Sequence, residues 1–308
     1  MNNIINKIQE LENQTFQNIK SSKAYNTIRA YKADIKSFEL FCAKLNLKAF
    51  PADPKTVSLF ITELSTKNSK LSTIKRKLAA IKVTHNLAGI YIDLKNPIIN
   101  ENLNSIKKQL GSYQKSKKPI LLEDLKSIVM EIDKENEIKI KLRNKALILI
   151  GFSGAFRRSE LVSVELDDID FVKEGVKIFI KKSKTDQSGE GMIKAIPYFT
   201  SEKFCPVLSL SNWINFLKTV ENNSNRVFDM SDKNVALIVK KYALKTGLDP
   251  KKYAGHSLRS GFATTTAENG AEERQIMAMT GHKSNQMVRR YIQESNLFKN
   301  NALNKINF

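Results

Sequence analysis

Four short stretches of this sequence hold cationic and phenolic side chains at spacings that can grip an anion and move a proton. In Gly154-Ala155-Phe156-Arg157-Arg158-Ser159-Glu160-Leu161, Arg157 and Glu160 are three residues apart. If a helix begins here they share a face, and the carboxylate can hold the guanidinium in place. Lys181-Lys182-Ser183-Lys184-Thr185 is a turn that can carry an ammonium into a cleft from its tip. Gly255-His256-Ser257-Leu258-Arg259 again sets its two polar groups, His256 and Arg259, on one helical turn. Thr280-Gly281-His282-Lys283-Ser284 is followed by Met287-Val288-Arg289-Arg290-Tyr291. An unbroken helix would aim His282 and Tyr291 in opposite directions, so the turn at Gly281 to Ser284 must let a new helix start between them. An Arg-x-x-Glu pair or three lysines in a turn is ordinary surface when met alone. Two of only three histidines in Gly-His pairs beside an arginine is not.

Such groups need elements to hold them. Leu122–Ile132 and 138–151 read as helices, the second apolar nearly all round and so central in a core. Residues 176–181 alternate β-branched and polar types, run into the turn-rich KSKTDQSGEG, and resume at 192–198, which predicts a β-hairpin carrying the lysine turn. Helices are expected over 208–220, 232–246 and 257–269. Upstream, Ile28, Tyr31, Ile35, Phe38, Cys42 and Leu45 recur at steps of three and four, the pattern of an amphipathic helix. A second helix is expected over 55–66, a third from an N-cap at Ser72, and a fourth over 100–110, closing a small all-α unit. The third helix puts Ile74, Leu78, Ile81 and His85 on one face, with Lys75, Arg76, Lys77 and Lys82 off it. His85 reads as a packed, hydrogen-bonded histidine without a functional role.

The chain has 308 residues, 41% hydrophobic, with 51 Lys+Arg against 31 Asp+Glu and a net charge of +20. That length predicts two domains, and that charge a polyanionic partner, because each cation that neutralises a phosphate releases a counterion. Residues 1–118 carry a net +13 and the remainder +7. We therefore expect a basic helical unit over 1–110, a linker over 111–119 and a larger unit over 120–308, with Lys75, Arg76, Lys77 and Lys82 tracking a major groove or its phosphates. The segment MNNIINKIQELENQ lacks a secretory signal's apolar core, and Ala146–Phe152 is far short of the ~20 residues of a membrane span. A cytoplasmic protein with no membrane association is expected. Cys42 and Cys205 read as buried free thiols, and no CxxC or HExxH motif supports a metal site.

The set Arg157, Lys184, His256-Ser257-Leu258-Arg259, Gly281-His282 and Tyr291 resembles the active-site signature of the tyrosine recombinase (phage integrase) family of site-specific DNA recombinases. The order fits, as do the gaps of 23 from Arg259 to His282 and of 9 from His282 to Tyr291. The likeness extends to Glu160-Leu161, to Ser183-Lys184-Thr185-Asp186-Gln187, to Cys205-Pro206-Val207 before a helix carrying Trp213, and to 26–89, which is similar to the family's helical core-binding domain. It departs at Ala155-Phe156, where the family commonly has Gly-Leu, and at Arg158, where an aliphatic residue is common. Register selects Arg157 over Arg158, and Lys184 over Lys181 and Lys182.

The resemblance implies a mainly α architecture, with a SAM-like all-α core-binding domain and an α+β catalytic domain with a small antiparallel sheet. It implies attack by Tyr291 on a DNA phosphodiester, giving a 3′-phosphotyrosyl intermediate that conserves the bond energy without ATP. Arg157 and Arg259 would bind the non-bridging oxygens, His256 would take the tyrosine proton, Lys184 would protonate the leaving oxygen, and His282 would donate a hydrogen bond. Glu160 would orient the cluster. No cofactor or metal is required, since the arginines supply the charge. The implied partners are duplex DNA with specific recombination sites and, on synapsed DNA, a homotetramer; free in solution the chain would be a monomer or weak oligomer. Leu297, Phe298, Leu303, Ile306 and Phe308 would dock the tail on a neighbouring protomer or fold back on their own domain. Integration of a mobile element is the leading role. A Xer-type multimer resolvase, a catalytically silent DNA-binding descendant and a type IB topoisomerase are the alternatives.

Overall fold

The computed structural model describes residues 2–21, 24–111, 117–181, 183, 190–220, 224–282, 284–295 and 301–306. The chain forms two compact units, Met1–Lys115 and Ser116–Phe308. The architecture is mainly helical with one small antiparallel sheet, the expected fold class.

The first unit holds α1 (Asn2–Ser21), α2 (Tyr25–Lys44), α3 (Pro54–Thr66), α4 (Leu71–Leu87) and α5 (Pro97–Leu110). Their boundaries follow from capping chemistry. Asp53 accepts the Thr56 N–H at 2.9 Å with Pro54 opening α3, and Asn96 accepts the Ile98 N–H with Pro97 opening α5. Ser72 is not a cap: α4 begins one residue earlier, after Lys70. Phe38, Val57, Phe60, Ile61, Ile74 and Ile99 form the centre of the core. His85 is buried, Nδ1–H donating to the Ile81 carbonyl at 2.8 Å and Nε2 accepting the Ala52 N–H at 3.0 Å, so both nitrogens are consumed in packing. Helix α1 was not anticipated, and it exposes Ile4, Ile5, Ile8 and Leu11.

The second unit holds α6 (Leu122–Ile132), α7 (Ile138–Ser153), α8 (Arg158–Ser163), β1 (Ile169–Val172), β2 (Gly175–Ile180), β3 (Met192–Pro197), α9 (Pro206–Thr219), α10 (Asp232–Lys245), α11 (His256–Glu268), α12 (Glu273–Thr280) and α13 (Asn285–Ser295). Helix α7 is central, with every residue from Ala146 to Ser153 buried. The expected hairpin is part of a three-stranded sheet of order β1-β2-β3, with Ile169 opposite Ile178 and Ile178 opposite Lys194. Strand β1 is four residues long with Asp170 at its centre, too short to show an alternation in the sequence. Cys42 and Cys205 are free and buried, as expected. No helix is long and apolar enough to cross a membrane among the described residues.

One close approach shapes the wall behind the site. The Lys118 and Ile120 N–H groups donate to the Lys252 and Ser257 carbonyls at 2.8 and 3.0 Å, so these two residues lie on the second unit rather than in a free tether. A Cβ on Gly261 would stand 2.0 Å from the Ile120 carbonyl oxygen, and only glycine lets this backbone rest on α11.

Candidate active site

Separate segments of the second unit bring Arg157, Glu160, Arg259 and His282 together. The turn after α7 delivers Arg157, whose N–H donates to Glu160 Oε2 at 2.9 Å while its guanidinium pairs with Oε1 of the same carboxylate. Glu160 is 2% exposed and the Arg157 side chain 17%, so the pair keeps one open side. Arg158 turns away, its side chain covering Gly255 and reaching Asp232 at 3.6 Å. In this turn Ala155 has φ +48°, a left-handed conformation that glycine adopts without strain, which gives a physical reason for the glycine common there in the resembling family.

Helix α11 supplies the second and third groups. Arg259 is only 1% exposed; Nη1 donates to the Ala155 carbonyl at 2.8 Å and Nη2 to His282 Nε2 at 3.1 Å. His256 opens the helix with part of its surface open to solvent and the rest packed beside the arginines. Gly281, left-handed at φ +62°, ends α12 by donating its N–H to the Met277 carbonyl and turns the chain to present His282. Helix α13 then packs Val288 on Ala263, Ala267 and Ile276, which lays Tyr291 against α11 within electrostatic reach of Arg259.

The electrostatics have one sign. Burial, then the Arg157 charge, pulls the Arg259 pKa down to about 10. Burial, then Arg259 and Arg157, holds His282 at about 4, and the same causes with Arg158 lower His256. Lys194, an inward-facing lysine of β3, is brought to about 7 by burial and the two arginines, against the pull of Glu160. These basic groups crowd one buried carboxylate, and their mutual repulsion is what an incoming anion would relieve. Arg259 Nε and His282 Nδ1 are buried and find no hydrogen-bond partner among the described residues.

Lys184 and Lys182 lie outside the described residues, as do Leu297, Phe298 and Phe308. Lys181 is taken by Glu165 and by Asp168 at 2.9 Å. In the first unit Lys75 and Lys82 face solvent, but the other two expected DNA contacts are engaged within the protein. Arg76 is held in a two-pronged pair with buried Asp34 at 2.8 and 3.0 Å, and Lys77, 12% exposed, sits 3.6 Å from Asp34 and over the Phe60 ring. Lys77 therefore is not on the solvated face: Asp34 on α2 draws it inward. Among the described residues no group of three or more His, Cys, Asp or Glu gathers to hold a metal.

The family model described as "Phage integrase family" matches residues 120–297, and that of the phage integrase N-terminal SAM-like domain matches 14–88. The chain belongs to the phage integrase family. It is a tyrosine recombinase of the Xer/integrase type. An "Integrase/recombinase xerD homolog" of Selenomonas ruminantium is 39% identical over 94% of this chain and 87% of its own length. "Tyrosine recombinase XerD" of Rickettsia bellii is 28% identical over 83% of this chain and 84% of its own length. Among solved structures, the fold of this tyrosine recombinase matches the XerH site-specific recombinase bound to palindromic difH substrate, with TM-score 0.66 and 20% identity over 88% of this chain and 77% of that one. It also matches a lambda integrase(75-356) dimer bound to a COC' core site, with TM-score 0.58 and 16% identity over 91% and 93%.

The sequence did not single out Lys194. Its signal was parity: in the run 192–198 it shares the inward phase of Ile196, where a lysine is out of place.

Proposed function

We propose that this recombinase cleaves and rejoins duplex DNA at specific sites through a covalent 3′-phosphotyrosyl link on Tyr291. The observation that carries the reading is the meeting of cations from separate segments beside one buried carboxylate: the Arg157 guanidinium pairs with Glu160, and Arg259 donates to the Ala155 carbonyl in the turn that delivers Arg157 and to His282. A phosphodiester among them restores the balance, and does so most in the transition state, where its charge concentrates. Arg157 and Arg259 bind the non-bridging oxygens; the unpartnered Arg259 Nε is a donor in hand. His256, with its pKa lowered, is neutral near pH 7 and accepts the Tyr291 proton. The oxygen then attacks phosphorus, the 5′ oxygen leaves with a proton from Lys184, and His282 donates to the phosphate. Glu160 keeps Arg157 oriented. No cofactor or metal enters the scheme.

The partner is duplex DNA gripped by the basic first unit, with strand exchange in a homotetramer of chains that are monomeric or weakly associated when free. The Xer and integrase structures bound to their DNA sites support that partner. Integration of a mobile element is the role we favour, and the Selenomonas relative, an "Integrase/recombinase xerD homolog", is compatible with it as well as with the second reading. The XerD names of other relatives favour resolution of replicon multimers as the second reading.

The test uses a site selected from a random duplex library by binding to the full chain, rebuilt with a nick so that cleavage traps the enzyme. Wild type should form a covalent protein–DNA adduct and Tyr291→Phe none, with half-site affinity unchanged within about twofold. An adduct that survives Tyr291→Phe removes Tyr291 from its role.

A further inference from the structure

Lys194 has no place in the chemistry assigned above, yet it is among the largest fully buried side chains, at 1% exposure. A leucine or isoleucine would fill an inward strand position, and a buried ammonium is costly unless its hydrogens find acceptors. Here Nζ donates to the Gly154 carbonyl at 2.7 Å and to the Met279 carbonyl, and lies 5.0 Å from the centre of the Phe156 ring. Both carbonyls belong to helix ends. Gly154 caps α7, and Met279 is in the last turn of α12. Helix C-termini carry unpaired carbonyls and the negative end of the dipole, so one cation between two such ends serves both.

The spacing gives this contact a consequence for the site. Gly154 precedes Arg157 by three residues, and Met279 precedes His282 by three. We infer that Lys194 is a positioning residue: its ammonium ties the turn that delivers Arg157 to the turn that delivers His282, fixing two groups from distant parts of the chain on one phosphate. The inference rests on the active-site reading above. Arg259 spans the same two turns through Ala155 and His282. It does so from the face that meets the anion, whereas Lys194 holds the turns through backbone carbonyls and leaves the side chains to the substrate. Glu160, Arg157, Arg259 and His282 act on Lys194 electrostatically or are acted on by it.

The experiment measures single-turnover adduct formation on the nicked duplex, and half-site affinity, for the full chain carrying Lys194→Met; Lys194→Gln takes its place if that variant does not fold. Loss of the tie should slow cleavage about a hundredfold, the cost of a misplacement of ~1 Å, with half-site Kd changed less than about threefold. Because Lys194 works in part through the turn that carries His282, Lys194→Met combined with His282→Ala should lose clearly less than the product of the two single losses. Cleavage by the folded Lys194 variant within about threefold of wild type overturns the inference, and so does a double variant whose losses multiply. Wild type and Tyr291→Phe run in parallel: no Tyr291-dependent adduct from wild type defeats the active-site reading itself, while a normal adduct from both wild type and the Lys194 variant defeats only the tie.

Discussion

Arg259 Nη2 donates to His282 Nε2 across 3.1 Å, and this contact decides which imidazole nitrogen carries the proton. A guanidinium has only donors, so Nε2 must be the acceptor and the hydrogen of the neutral ring resides on Nδ1. That Nδ1 is buried and has no partner among the described residues. The pair therefore presents two unspent donors, Arg259 Nε and His282 Nδ1–H, from residues 23 apart in the chain.

Stability should carry the mark of that neutral ring. The folded pKa of His282, about 4, lies below its ordinary 6.5, so between those values the unfolded chain binds more protons and stability falls as pH falls. The contribution over that window is about 3 kcal/mol. Urea unfolding followed at Trp213, the only tryptophan and buried in the second unit, should show wild type losing more stability between pH 7 and pH 4 than His282→Asn does. Equal losses in the two proteins would mean that the ring is not held neutral.

Cleavage should follow the proton state of His256. Burial and the charges of Arg259, Arg157 and Arg158 hold its pKa below 6.5, so the rate of adduct formation should be level above pH 7 and drop on the acid side, about tenfold per pH unit once the ring is protonated. His256→Gln should be slower by about a hundredfold or more and lose that acid limb. A wild-type rate still rising through pH 8 would assign the proton to another group.

Glu160 is the counter-charge of the cluster. Glu160→Gln keeps the shape and leaves Arg157, Arg259 and Lys194 without their carboxylate, an imbalance worth about 3 kcal/mol in a buried setting. Thermal unfolding should come several degrees earlier, and inorganic phosphate should restore part of the loss by binding where the charge is needed. An unchanged melting temperature would place the balance elsewhere.

The first unit separates grip from packing. Lys75→Glu with Lys82→Glu should weaken half-site binding about tenfold and flatten the dependence of log K on log salt by roughly two phosphate contacts. Lys77→Ala should leave the salt slope alone and cost stability, since Lys77 is spent on Asp34 and Phe60. A slope unaltered by the double reversal would return Lys75 and Lys82 to the solvated surface.

Much of this protein was legible from side-chain type and spacing. Helix α6 follows the apolar pattern of Leu122–Ile132 to the residue, α7 follows its apolar run to within two, and His85 packs as its face predicted. Of the two glycines in the Gly-His pairs, Gly281 has a local reason, a left-handed helix end, whereas Gly255 is required by the Arg158 side chain that covers it from 97 residues away.

What periodicity could not supply was the partner of each charge. On α4 the sequence separates apolar from basic positions, but only the packing of α2 beside it brings Asp34 to Arg76 and Lys77, pairing the first at the surface and drawing the second off the solvated face. In β3 the alternation puts Lys194 inward, but its acceptors are carbonyls 40 and 85 residues away. The sequence by itself determined which groups are available and which local turns present them, because capping, left-handed glycines and amphipathic faces are decided by neighbours in the chain. Only the tertiary structure decided which cation is spent on a carboxylate, which on helix carbonyls and which stays open to an anion. Those energies depend on burial and on distances between residues far apart in the chain.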